Sequence, residues 1–134
     1  MRLIGKVATL TATTLTAGGL SLAALATPAL AADPPIAPYA QATAQVNANG
    51  TITNSKNVTG VTKVSTGKYC VQLHPDINAA RAVPIATLRS TADWRSEIYT
   101  NVESSTCSGH PNSIFVYTGQ NGTAADEPFF LLIP

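Results

Sequence analysis

From Tyr39 to Pro134, short apolar runs are cut by turn residues at a spacing of roughly 8–12 residues. That punctuation leaves little room for helices of several turns. It suits strands, each just long enough to cross a small sheet. The predicted class is all-β, a small antiparallel β-sandwich of about seven or eight short strands.

The strands can be placed from alternation and turns. Ala40, Ala42, Ala44 and Val46 alternate with polar residues and run into Asn47-Ala48-Asn49-Gly50. Asn-Gly is a strong hairpin signal, so Thr51–Thr53 returns as a second strand. Val58, Val61 and Val64 are three apart, as on a helix face. β-Branched residues with Gly60 among them argue instead for a strand over 57–65 with a bulge at Gly60. The clearest strand is 68–74, with Tyr69, Val71 and Leu73 on one face and Cys70, Gln72 and His74 on the other. A loop with one helical turn fits 75–81. Further strands are expected over 83–88, 97–102 and 114–117, the second with Ile98 and Val102 buried, and a polar loop over 120–128. The run 129–133 is apolar on both faces and is therefore expected in the middle of a sheet.

Residues 1–31 belong to a different kind of segment. Arg2 and Lys6 precede an apolar stretch, and Thr27-Pro28-Ala29-Leu30-Ala31 places small residues before a cut after Ala31. This is the pattern of a cleaved secretory signal peptide. Thr11, Thr13, Thr14, Thr16, Gly18, Gly19 and Ser21 interrupt it too often for a membrane span. Residues 32–39 carry three prolines and read as an extended Pro-rich leader. The domain is then 40–134, and the mature chain has 103 of the 134 residues, one domain by length.

An oxidising destination pairs Cys70 with Cys107 in a disulfide. A catalytic thiol would need a neighbouring base and a reducing setting. Cutting after Ala31 removes two of eight basic residues and none of seven acidic ones, leaving a net charge of −1. With no basic stripe, neither nucleic acid nor, after cleavage, a membrane is an expected partner.

The segment Val58-Thr59-Gly60-Val61-Thr62-Lys63-Val64-Ser65-Thr66-Gly67-Lys68-Tyr69-Cys70-Val71-Gln72-Leu73 resembles a G-V-x-x-V-x-x-x-G-x-Y-x-V hairpin pattern. That pattern is associated with uncharacterised secreted bacterial β-sandwich domains and with β-rich ends of some phage tail proteins. Val46, the turn Asn49-Gly50-Thr51 and the closing stretch 126–134 are also similar. The resemblance implies hairpin geometry and brings no catalytic residues. It and the style of the signal imply a bacterial source. The N-x-[ST] triplets at Asn49, Asn57 and Asn121 then read as turn chemistry rather than glycan acceptors.

No chemical motif stands out. His74 and His110 both precede proline, too few and too splayed for a metal site, so no metal or other cofactor is expected. Serine, histidine and acid are present without a nucleophile elbow or phosphate loop, and no catalytic residue is assigned. Asp93, Glu97 and Glu103 are the acids from which a glycosidase pair would be drawn, and three surface acids are more simply solvated. Tyr39, Tyr69, Tyr99 and Tyr117 read as half-buried strand residues. Trp94, the only tryptophan, sits in a loop between Asp93 and Arg95. It is either a lid over one end of the core or an exposed ring for stacking on a sugar or anchoring a partner. The expected function is a secreted, non-enzymatic binding domain for an extracellular or cell-surface ligand. Its contact surface would join Trp94, Arg95 and the loops around His74 and His110. The alternative is a small inhibitor of an extracellular hydrolase, presenting the loop 107–112.

Overall fold

The computed structural model describes residues 37–134. The expected signal segment and leader residues 32–36 lie outside the described residues. Among the described residues nine strands form: β1 (Ala42–Val46), β2 (Ile52–Lys56), β3 (Val58–Ser65), β4 (Lys68–Leu73), β5 (Ile85–Leu88), β6 (Ser96–Asn101), β7 (Ser113–Gln120), β8 (Thr123–Ala124) and β9 (Phe129–Ile133). They make two antiparallel sheets, one in the order β2-β1-β9-β5 and the other β3-β4-β7-β6 with β8 beside the end of β7. The class is all-β, as expected, and the architecture is that of a small β-sandwich.

Alternation along each strand builds the core. Ala42, Ala44 and Val46 of β1 pair with Ile133, Leu131 and Phe129 of β9, and all six are buried. From the second sheet, Tyr69, Val71 and Leu73 of β4 join Ile114 and Val116 of β7. The sheets meet where the Tyr69 ring stands edge-on to Phe129, centroids 5.2 Å apart. Truncating a buried aromatic such as Phe129 to alanine costs about 3–5 kcal/mol. β9 does lie between two strands, β1 and β5. Its outer face is not covered, however: Phe130 is 38 % exposed and Leu132 half-buried. Two neighbours, rather than two buried faces, put it in the middle.

Between β2 and β3 the chain changes sheets through a single residue, Asn57. Its φ of 53° is left-handed, a conformation asparagine tolerates better than most residues. Its side chain donates to the Gln41 carbonyl (2.7 Å), and its carbonyl accepts from His74 N–H (2.9 Å). The register between β3 and β4 shifts between Val58 and Gly60, where the bulge was expected.

Gly67 turns β3 into β4 at φ +65°, and a Cβ there would lie 2.2 Å from the Thr118 carbonyl oxygen. Only glycine fits. The leader's last residues are not extended: Ala40 N–H donates to the Ala37 carbonyl, and Lys56 Nζ donates to the carbonyls of Ala37, Pro38 and Ala40. Gln41 in turn donates through its backbone to Ile133 and through its side chain to the Pro134 carbonyl.

Candidate functional site

β6 has loops at both ends. Trp94 and Arg95 lie just before Ser96, whereas Glu103 and the disulfide loop follow Asn101. Six residues at roughly 3.3 Å each set these loops about 20 Å apart. The expected single contact surface therefore divides. Trp94 and Arg95 lie at one end, and the His74 and His110 segments lie together at the other.

At the first end, Trp94 is not a lid. It is 94 % exposed, on a loop whose backbone is fixed. Glu127, only 4 % exposed, accepts from Asp93 N–H (3.1 Å) at one oxygen and from the Ser96 hydroxyl (2.8 Å) at the other. The carbonyl of Trp94 accepts from the Gln120 side chain (3.2 Å), and that of Arg95 from Asn121 N–H (3.3 Å). Arg95 itself is held at φ 66°, a sparsely populated conformation for a non-glycine residue. Beside the indole opens a cleft of about 490 Å³, lined by Leu88, Arg89, Ala92, Asp93 and Arg95. The Arg89 guanidinium lies over the Phe130 ring, 5.7 Å from its centroid, and donates to Asn47 (2.9 Å).

Asp126 stiffens the same end. It pairs with Lys63, accepts from Gly67 N–H (2.7 Å) and faces the Tyr69 hydroxyl (3.4 Å). Burial works to raise its carboxyl, but the hydrogen bonds from Lys63 and Gly67, the Lys63 charge and the Tyr69 hydroxyl hold it below the usual carboxylate range. Burial pushes Tyr69 up to about 12, reinforced by the Asp126 charge.

The outer face of the second sheet adds an aromatic pair missed in the sequence. Tyr99 is 60 % exposed, and its ring centroid lies 5.9 Å from that of Tyr117. Gly119 leaves the space: a Cβ there would be 2.7 Å from the Tyr117 hydroxyl and 2.9 Å from a Glu97 oxygen. The tyrosines do not share one state, since Tyr39 is fully exposed and Tyr69 fully buried. The signal for Tyr99 was alternation, because it points opposite to the inward Ile98 and Thr100.

At the second end, Cys70 of β4 is bonded to Cys107, with Cα atoms 5.7 Å apart. The bridge holds the loop 102–112 against the outer face of the second sheet. His74 is exposed, with Nδ1 3.3 Å from Asp76. Asn112 joins the two histidine segments, accepting from Ala79 N–H (2.9 Å) and donating to the carbonyls of Leu73 (3.2 Å) and His74 (3.3 Å). Among the described residues, no group of three or more His, Cys, Asp or Glu is placed to hold a metal ion, and no helix is long and apolar enough to cross a membrane. The three candidate acids do not converge: Glu103 is a full strand away from Asp93 and Glu97. No family model, curated protein or solved structure matches the chain.

Proposed function

We propose that this is a secreted, non-enzymatic binding domain that grips an extracellular or cell-surface ligand with the Trp94 loop. One observation carries the reading: a tryptophan 94 % exposed on a backbone pinned by a buried carboxylate. A large apolar ring kept in water costs solvation. Holding its loop rigid lowers the entropy lost on docking. Arg89, Asp93 and Arg95 offer hydrogen bonds beside the ring. This combination suits ligands with a flat apolar face and a polar edge, as sugar rings have. Secretion is supported by the signal pattern of residues 1–31 and by the disulfide. The hairpin resemblance of residues 58–73 to secreted bacterial domains agrees with the same setting.

The test is retention of the wild-type protein and Trp94→Ala on cellulose, chitin, xylan and peptidoglycan. Trp94 is the only tryptophan, so its fluorescence reports this loop alone. The expected result is retention of the wild type with a shift in indole emission, and loss of retention in a folded Trp94→Ala. Equal retention of the two proteins overturns the proposal.

The inhibitor reading stands second. Its loop is tightly turned, with Cys107, Ser108 and His110 N–H groups donating to carbonyls at Ser104, Ser105 and Cys107. Those donors are spent within the loop and are not free to pair with a protease. Incubation with a protease panel decides: inhibition without cleavage would restore it.

A further inference from the structure

The charges around the indole are unevenly placed. The described residues include three arginines, and two of them, Arg89 and Arg95, line the cleft beside Trp94. Among the described residues neither is in an ion pair. Two of the cations elsewhere are already spent, Lys56 on three backbone carbonyls and Lys63 on Asp126. Arg89 is half-buried and steadied by Asn47 and the Phe130 ring. A guanidinium has five N–H donors, so the bond to Asn47 leaves it others to give. Arg95 is exposed, and its side chain has no hydrogen-bond partner among the described residues. Its backbone is fixed, at φ 66° and with its carbonyl bonded to Asn121 N–H. One acid, Asp93, stands in the lining, and it pairs with neither arginine. Glu127 lies behind the loop, with its two oxygens taken by Asp93 N–H and the Ser96 hydroxyl.

We infer, resting on the Trp94 reading, that the ligand of this cleft is an acidic sugar, a pyranose bearing a carboxylate. Its ring stacks on Trp94, and its carboxylate is held by Arg95 and Arg89. The planar fork of arginine matches the two oxygens of a carboxylate. An exposed indole takes the apolar face of the same ring. Ser90 and Asp93, also in the lining, are left for the ring hydroxyls. Phosphate suits arginine as well. Asp93 in the same lining favours a single negative charge over the nearly double charge of a phosphate. Bulk charge cannot produce the preference. The chain beyond Ala31 has six basic and seven acidic residues, so an acidic polymer does not attract it as a whole. Selection of an acid must come from where the two arginines stand. The cleft, at about 490 Å³, is within the roughly 300–1,000 Å³ of small-molecule sites.

The test is calorimetric titration of the disulfide-bonded protein with oligogalacturonate and with its methyl ester, which keeps the ring and loses the charge. The acid should bind about tenfold more tightly than the ester, the worth of a charged hydrogen bond. Added salt should narrow that difference. Arg95→Gln should bring the affinity for the acid down toward that for the ester. It should leave the ester's affinity and the Tm unchanged, since the side chain has no partner to lose. Arg95→Lys should restore only part of the preference, because an ammonium lacks the fork. Trp94→Ala should weaken both ligands. Equal affinity for acid and ester, or a preference that survives Arg95→Gln in full, overturns the inference. If that binding is still lost in Trp94→Ala, the Trp94 reading stands without it. Full binding of both ligands by Trp94→Ala overturns the Trp94 reading too. No binding of either ligand overturns the inference, and the four polymers of the retention test then decide the Trp94 reading alone. Tighter binding of galactose 6-phosphate than of galacturonate overturns the choice of carboxylate.

Discussion

The two ends of the sandwich are made rigid by different means. At the Trp94 end, the loop 89–95 is held by hydrogen bonds that converge on Glu127, and the adjoining turn at Gly67 is held by Asp126 and Lys63. At the other end a covalent bridge holds the loop 102–112. A carboxylate accepts several donors at once, so one residue shapes a whole loop through contacts that are not covalent. A disulfide fixes one point covalently and depends on redox conditions. The contrast shows how a domain with few charged residues keeps long connections ordered.

Breaking the bridge should have the largest effect. Replacing Cys70 and Cys107 with alanine frees a separation of 37 residues, and the chain-entropy account gives a loss of roughly 4 kcal/mol. A urea melt measures it. The contrast between ends predicts that amide exchange rises over 102–112 before it rises over 89–95. Next comes Glu127→Ala, which leaves Asp93 N–H and the Ser96 hydroxyl without their acceptor. The expected cost is about 1–3 kcal/mol. Exchange should accelerate at 93–96 while the disulfide end keeps its protection. Equal loosening of both ends would mean that they are not separately held.

The pH response sharpens the comparison further. Asp126 is held below its usual range, so its contribution is present above that range and lost as pH falls through its lowered folded value. Asp126→Asn should flatten the acid limb of a Tm-against-pH curve. Tyr69 is pushed up to about 12, so its contribution is complete below its ordinary value and fades as pH rises toward 12. Tyr69→Phe should flatten the alkaline limb, and both effects should be read at the Gly67 turn. Smallest in stability is Trp94→Ala, expected within about 0.5 kcal/mol because the ring is exposed. A large loss in that variant would return Trp94 to the role of a lid.

Much of the sandwich was legible because alternation is a local property. Tyr69, Val71 and Leu73 declare their buried face within one strand, and Gly60 declares its bulge. The corner at Asn57 was not legible, since 57–65 reads as one run and nothing local says that β2 and β3 belong to different sheets. β8 was hidden in a polar stretch, although Asn121-Gly122 marked the turn that makes it. Glu127 looked like one more loop acid. Its burial depends on the loop 89–95 folding over it, more than thirty residues away in sequence. For the same reason Trp94 stayed open between two readings. Whether a loop ring folds down or stands out depends on what already fills the end of the core.

The crossing at Gln41 has a consequence for orientation. Its backbone meets Ile133 and its side chain meets Pro134, so Ala37 and Pro134 lie together, at the end opposite Trp94. Anything fused or immobilised at either point would hold the domain by its disulfide end. The indole would then face away from the support, roughly the length of β1, or about 17 Å, farther out. A surface array prepared from either point would display the same face.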